Sequence, residues 1–302
     1  MTADVIIVGG GPAGLTAAIY ARRANKSVLV LEAMACGGQI VNTPDIENYP
    51  AAAHVSGAEF ASRLVAQATE LGAEIRYEKV TGIRDLGGEK EVVTQSGTYT
   101  GKAVILATGS ANRRLGLEHE EELIGRGISY CATCDGNFFR KAVVAVVGGG
   151  NTALEDALYL ADLAEKVYLI HRRDSFRGAE STAEQLKARE NVEFVLNSNV
   201  TKLVAERRLK AIEVTDRDGN VRTIPLHGLF VAVGRIPENG AFAPLIDLDP
   251  SGYVLASENC RTKTPGIFVA GDNRVKDVRQ LVTATADGAV AATEAVRYLN
   301  ET

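Results

Sequence analysis

Two cysteines, Cys131 and Cys134, stand three residues apart, and Asp135 follows directly. The pair is disulfide-capable. A carboxyl group beside it can handle the proton that a thiol must lose before it reacts. The pattern points to thiol–disulfide exchange, with Cys131, Cys134 and Asp135 as the catalytic residues. Half of a zinc site, or a plain buried pair of thiols, is the competing reading. A structural zinc takes four ligands. The remaining candidates are Cys36, Cys260, His54, His119, His171 and His227, and none forms a second close pair. No metal is expected.

Two glycine-rich stretches carry a second kind of chemistry. Gly9-Gly10-Gly11-Pro12-Ala13-Gly14 lies near the start of the chain, and Gly148-Gly149-Gly150-Asn151-Thr152-Ala153 comes shortly after the cysteines. Each follows a short apolar run and opens a helical pattern, the context that a dinucleotide-binding fingerprint requires. Gly9, Gly11 and Gly14, and in the second copy Gly148, Gly150 and Ala153, allow a tight turn. They also let a pyrophosphate approach the helix N-terminus.

The copies part at the ends of their second strands. Glu32 lies 18 residues past Gly14, whereas His171 lies 18 residues past Ala153 and is followed by Arg172 and Arg173. A carboxylate there accepts hydrogen bonds from a ribose hydroxyl and repels a 2′-phosphate. Guanidinium groups do the reverse, and Arg177 adds a third positive group. The first site is expected to take the adenosine of FAD and the second to take NADPH. One disulfide-capable pair and two nucleotide sites predict electron transfer from a nicotinamide, through a flavin, to a disulfide.

These residues need elements to position them. Asp4–Val8, a helix over about Pro12–Asn25 and a strand over Lys26–Leu31 make a βαβ start. A helix is expected over Gly57–Leu71, then a small antiparallel sheet over Ile75–Tyr99 and a buried strand at Ala103–Ala107. The plan restarts with strands at Ala142–Val147 and Lys166–Ile170 around a helix at Asn151–Ala164. Gly178–Arg189 reads as helical, followed by several short strands. A strand at Gly266–Ala270 and a helix within Arg279–Leu299 close the chain. The expected fold is α/β, with two Rossmann-like, three-layer dinucleotide-binding domains, the second inserted into the first. The expected boundaries are 1–110, 111–236 and 237–302, the outer two segments forming the FAD domain and the middle one the NADPH domain with its CxxC.

The chain has 302 residues, 46% of them hydrophobic, enough for two domains with buried cores. Its net charge of −5 argues against a nucleic-acid partner. No apolar run approaches the roughly 18 residues of a membrane helix, and no secretory signal is visible. Four cysteines are too few for a disulfide-stapled scaffold of this length, so a cytoplasmic protein with a catalytic CxxC is expected.

The residues together resemble a known family, the low-molecular-weight bacterial-type thioredoxin reductases. The resemblance covers nearly the whole chain. It rests on the two fingerprints and on Gly37-Gly38-Gln39, Glu47-Asn48-Tyr49-Pro50, Ala107-Thr108-Gly109, Cys131 to Gly136, His171-Arg172-Arg173-Asp174, Gly271-Asp272 and Arg279-Gln280-Leu281. It implies a homodimer. It implies FAD held by Gly9 to Gly14 (with Pro12 and Ala13), Glu32, Gly38, Gln39, Asn48, Thr108, Gly109, Gly271, Asp272, Arg279, Gln280 and Leu281. NADPH would be held by Gly148 to Ala153 (with Asn151 and Thr152), His171, Arg172, Arg173 and Arg177.

The resemblance also implies that Cys134 faces the flavin and that Cys131 attacks the disulfide of thioredoxin. A hinge near Gly109-Ser110 and Gly234 would let nicotinamide and disulfide reach the flavin in turn. The chain departs from the usual pattern at Cys36, on the flavin loop, and at Ala51, where the family often has glycine. Phe138 and Phe139 are open between partner contact and core. A FAD-dependent dithiol oxidase and a ferredoxin-fed thioredoxin reductase are the alternative enzymes. A flavin-binding sensor without turnover is the alternative of another class.

Overall fold

The structure is a computed structural model that describes residues 2–52 and 54–302. The chain divides into two compact units, one of residues 1–111 and 236–302, the other of residues 112–235. The first unit begins with β1 (Thr2–Val8), α1 (Pro12–Arg23), β2 (Val28–Glu32), α2 (Gly57–Glu70), β3 (Glu74–Tyr77), β4 (Val80–Asp85), β5 (Lys90–Thr94) and β6 (Thr98–Leu106). The short strand β7 (Ser110–Asn112) leads out of it. The second unit holds β8 (Ile128–Ser129), α3 (Ala132–Asp135), β9 (Val143–Val147), α4 (Asn151–Ala161), β10 (Lys166–Ile170), α5 (Glu180–Lys187) and β11 (Val192–Val195). It ends with β12 (Ser198–Ala205), β13 (Leu209–Asp216), β14 (Val221–Pro225) and β15 (Gly228–Val231). The chain returns through β16 (Arg235–Pro237) to β17 (Ile267–Val269) and α6 (Leu281–Glu301).

Both units repeat one plan. The first has the strand order β3-β2-β1-β6 at its centre, and the second has β11-β10-β9-β15. All neighbours in these runs are parallel. Such strands are covered on both faces and read as unbroken apolar runs. Their period of two sorts the side chains. Val5, Ile7, Val28 and Val30 face a layer containing α1 and α6. Ile6, Val8, Leu29 and Leu31 face a second layer that contains Val80 and Val92 of the antiparallel strands. In the second unit Val144, Val146 and Leu169 pack with α4 and α5, while Ala145, Val147 and Ile170 pack with the three-stranded sheet β12-β13-β14. Each unit is a three-layer Rossmann-like fold.

Two expectations change. The segment Ile75–Tyr99 is not wholly a small antiparallel sheet, because β3 pairs in parallel with β2 at the edge of the main sheet. The helix α2 between them makes a β-α-β crossover, which favours parallel pairing. The buried strand expected at Ala103–Ala107 begins earlier, at Thr98, so that one strand serves both the antiparallel meander and the parallel sheet. Gly101 does not break it. A Cβ at Gly101 would lie 2.8 Å from Ile6 Cγ1, so the glycine permits close strand packing rather than a turn. Among the described residues no helix is long and apolar enough to cross a membrane.

Candidate active site

Cys131 and Cys134 are joined by a disulfide, with their Cα atoms 5.3 Å apart. The local sequence explains the geometry. Cys131 is extended and caps α3, a single turn in which the Asp135 amide donates to the Cys131 carbonyl oxygen at 3.1 Å. One turn brings residues three apart onto the same side. The turn is anchored from below: Ala132 is fully buried in the cluster that includes Ala153, Leu154, Ala157 and Leu160 of α4. Gly136 lets the chain lie against that helix, since a Cβ there would meet Tyr159 at 2.9 Å. The redox pair and the second fingerprint therefore share one piece of scaffold.

Asp135 is held from β8. Ser129 Oγ donates to Asp135 Oδ2 at 2.6 Å, and the Cys131 amide donates to Ser129 Oγ at 3.1 Å. Asp135 Oδ1 is buried and has no hydrogen-bond partner among the described residues. Burial pushes the Asp135 carboxyl above its ordinary range, and the Ser129 hydrogen bond opposes part of that rise. A carboxyl so placed holds a proton more readily than an exposed aspartate. Ser129 was not among the expected site residues; its signal is a serine two residues before the first cysteine. Of the two following aromatics, Phe138 is exposed while Phe139 packs edge-on against Phe230 at 5.3 Å.

The second fingerprint forms a tight turn. A Cβ at Gly148 would stand 2.4 Å from the Ala232 carbonyl oxygen, whereas Gly150 opens onto free space. Helix α4 starts at Asn151 with no side-chain cap, which leaves its first amides for an anion. His171 is buried beneath this turn. A Cβ at Gly149 would meet its ring at 2.1 Å, and the ring stacks on Phe176 at 5.3 Å. Burial lowers its pKa, and Arg172, Arg173 and Arg177 push in the same direction. His171 thus acts as neutral packing under the fingerprint, while Arg172, Arg173 and Arg177 stand exposed. The Asn151 side chain accepts from the Ala179 amide at 2.8 Å, and the Arg177 amide donates to the Gly149 carbonyl oxygen at 2.7 Å. These bonds tie the arginine loop to the turn.

The first fingerprint repeats the turn. Gly9 has φ of +108°, and a Cβ there would lie 2.3 Å from the Ala107 carbonyl oxygen, the counterpart of the Gly148–Ala232 approach. Gly14 lies against the Gly9 carbonyl oxygen just as closely. Glu32 ends β2 and accepts from the Gly10 and Met34 amides at 2.7 and 2.9 Å. Across the turn, a Cβ at Gly11 would come within 3.9 Å only of Gly38 Cα, so two glycines line this space with Pro12 at its edge. Helix α1 also starts without a side-chain cap. Asn48 Nδ2 donates to Gln280 Oε1 at 3.2 Å, and Leu281 packs with Ile46, Val55 and Phe60. Asn273 Nδ2 donates to Thr108 Oγ1 at 3.1 Å, and the Gly271 amide donates to Asp287 at 3.0 Å. The Arg279 guanidinium lies 4.2 Å over the Tyr253 ring, and its Nε is buried without a partner among the described residues. The open glycine cradle, the uncapped helix and this guanidinium fit a dinucleotide.

Residues 3–288 match the family described as pyridine nucleotide-disulphide oxidoreductase. The chain belongs to this family. It is 41% identical over 300 residues to the thioredoxin reductase of Listeria innocua, spanning 99% of this chain and 94% of that one. It is 40% identical over 302 residues to the bifunctional thioredoxin reductase/thioredoxin of Mycobacterium leprae, covering 99% of this chain and 66% of that protein. The crystal structure of thioredoxin reductase from Streptococcus pyogenes superposes with a TM-score of 0.94 at 40% identity, covering 100% of this chain and 99% of that one.

For a pyridine nucleotide-disulphide oxidoreductase the arrangement is coherent. The disulfide joins both sulfurs of the CxxC. Cys260 is fully buried with its thiol pushed up to about 12, first by burial and then by Asp287, and is inert. Cys36 is half-buried beside Glu32, and burial and that carboxylate raise its thiol as well. Sequence reasoning missed Arg274, Lys276 and Asp287, the buried charges behind the Gly271-Asp272 turn. It also missed Asn239, whose side chain bridges the Gly252 and Asn273 carbonyl oxygens. The Arg274 and Lys276 charges so close to a glycine turn were the available signal.

Proposed function

We propose that this chain is an NADPH-dependent thioredoxin-disulfide reductase with bound FAD. The observation that carries the reading is the Cys131–Cys134 disulfide beside Asp135, on a turn packed against the helix that begins at the second fingerprint. Bound FAD supplies the relay between a two-electron hydride donor and a disulfide. Gly9 to Gly14, Glu32, Gly38, Gln39, Asn48, Thr108, Gly109, Gly271, Asp272, Arg279, Gln280 and Leu281 would hold it. Gly148 to Ala153, Arg172, Arg173 and Arg177 would hold NADPH, with His171 supporting the turn from beneath.

The chain's own part is thiol chemistry. In the reduced pair, Cys131 as thiolate attacks one sulfur of the substrate disulfide and forms a mixed disulfide. Cys134 then attacks Cys131 Sγ, which frees the substrate dithiol and restores the internal disulfide. Asp135 gives a proton to the sulfur that leaves and takes one from the sulfur that attacks. The likeness to a protein that carries reductase and thioredoxin on one chain supports thioredoxin as the substrate. Three exposed arginines favour NADPH over ferredoxin as the electron source. The family resemblance supports a homodimer acting in the cytoplasm, which light scattering and fractionation would test.

The decisive experiment mixes FAD-loaded protein anaerobically with NADPH and follows the flavin absorbance, then adds oxidised thioredoxin. Bleaching followed by reoxidation is expected, and Cys131→Ser abolishes the second phase. Absence of bleaching by NADPH would sink the reading.

A further inference from the structure

Asp156 is a buried-side carboxylate that the reaction above does not use. It lies in α4, three residues past Ala153 of the fingerprint. Its carboxylate accepts a hydrogen bond from the backbone amide of Ala132. Ala132 is the residue between Cys131 and the rest of the redox turn, and it is fully buried. Asp156 therefore touches the peptide that links the interchange thiol to its helix. Asp135 faces β8, where Ser129 holds it.

We propose that Asp156 is a positioning residue that couples the redox state of the Cys131–Cys134 pair to the uptake of one proton. The inference rests on that pair being the one that exchanges with thioredoxin. On reduction an electron pair from the reduced cofactor breaks the S–S bond. One sulfur takes a proton from solvent and the other stays a thiolate. The new negative charge forms on the pair whose connecting residue, Ala132, donates its amide to the Asp156 carboxylate, and like charges in a partly buried place disfavour joint ionisation. Asp156 takes up a second proton from solvent. When the dithiol passes its electron pair to the substrate disulfide and closes again, Asp156 releases that proton.

The surroundings allow this. Burial is the largest influence and raises the Asp156 pKa, Glu155 of the same helix raises it further, and Arg235 of β16 and the Ala132 amide oppose. Together they bring it to about 7, where both protonation states are accessible. The other elements packed on α4 present apolar groups: Val144 and Val146 from β9, Val167 and Leu169 from β10, Ala183 and Leu186 from α5. From α3 comes the Ala132 amide, the peptide next to Cys131. The sulfurs are the charges that change when the enzyme turns over.

The test is the equilibrium of the holoenzyme disulfide with dithiothreitol, read by thiol titration across the pH range around 7. Asp156→Asn keeps an oxygen acceptor for Ala132 but cannot take a proton. The expected result is that the logarithm of the equilibrium constant loses pH slope above pH 7, by at most one proton's worth, about tenfold per pH unit. The melting temperature at low pH stays the same. An unchanged slope overturns the proposal while leaving the redox role of the pair intact. A pair that exchanges with no reagent overturns both. If D156N does not fold, infrared difference spectra of Asp135→Asn protein on reduction decide: a newly protonated carboxyl band supports the coupling, and its absence overturns it.

Discussion

Asp287 grips Arg274 at two points inside the first unit: Arg274 Nε lies 2.8 Å from Asp287 Oδ2, and Nη2 lies 2.9 Å from Oδ1. Lys276 Nζ and the Gly271 amide reach the same carboxylate at 2.9 and 3.0 Å. One residue of α6 thereby fixes the backbone of the Gly271-Asp272 turn and the segment that leads to Arg279. Removing it in Asp287→Ala leaves Lys276 without its buried counter-charge and Arg274 with only the exposed Glu258 at 3.6 Å. The expected cost is about 3–5 kcal/mol, the range for breaking a buried pair. Flavin content should fall with it. Thermal melting and the flavin-to-protein absorbance ratio check both effects, and a variant with unchanged flavin content would disconnect the ion pair from the turn.

The same carboxylate sets an acid limit. Burial pushes the Asp287 carboxyl up, but the hydrogen bonds from Arg274 and Lys276 outweigh it and hold the group below its ordinary value of 3.8. A folded-state pKa below the unfolded one contributes stability that is fully present above the unfolded value. That contribution is lost as pH falls through the folded one. Urea unfolding of the wild type should weaken below about pH 4, and the acid slope should be shallower in Asp287→Asn. Equal acid slopes in the two proteins would exclude Asp287 as the group responsible.

At Asp135 the sign is opposite. Burial raises its carboxyl and Ser129 pulls it back. Ser129→Ala removes the lowering influence, so the proton is held to higher pH. If Asp135 donates that proton in turnover, the alkaline limb of the kcat/KM profile moves to higher pH in Ser129→Ala. In Asp135→Asn the limb disappears and the rate falls by about 10²–10⁴-fold, the usual worth of a general acid. Steady-state rates with thioredoxin across pH measure both. A limb that stays in place in S129A would assign the titration to another group.

Ala51 shows what one departure from a family pattern means physically. Its φ is +64°, a left-handed conformation that costs an alanine roughly 1 kcal/mol or more. Glycine adopts it freely, though it gives up part of the gain to its floppier unfolded chain. Ala51→Gly is expected to stabilise the protein by about 0.5–1 kcal/mol, visible as a higher melting temperature. The residue is exposed, so no packing is lost.

The elements legible in the sequence were those whose pattern is local. The two glycine turns, the apolar runs of β1 and β9, and the CxxC-Asp run need only neighbours to be recognised, and the paired approaches of Gly9 to Ala107 and Gly148 to Ala232 follow from them. What depended on distant partners was not legible. Pairing of β3 with β2 is decided by a crossover helix, and the continuity of β6 through Gly101 is decided by Ile6 on the neighbouring strand. In the site, Glu32 and the arginines could be placed by counting residues from the fingerprints. Ser129, Asn239 and Asp287 could not, because each acts through a bond to backbone or charge that only the folded chain brings near. His171 lay at the counted position, but the ring turned inward under Gly149, a role that spacing alone does not distinguish from cofactor contact.

On the proposed reading, that inward turn leaves nucleotide choice to the arginines. Arg172, Arg173 and Arg177 are exposed, and the loop that carries them is tied to the fingerprint through the Arg177 amide and the Asn151 side chain. A 2′-phosphate is present in NADPH and absent in NADH, so a guanidinium that binds it contributes equally to ground and transition states. Its loss raises KM for NADPH and leaves kcat alone. A hydrogen bond to a charged group contributes about 1.5–3 kcal/mol, which corresponds to roughly 10- to 100-fold in kcat/KM. Arg172→Ala and Arg173→Ala should each lower kcat/KM for NADPH by about that factor and leave the NADH value nearly unchanged. His171→Ala should instead weaken both nucleotides together, since it removes support from the turn that cradles the pyrophosphate common to them. Parallel loss with both nucleotides in the arginine variants would place the 2′-phosphate elsewhere.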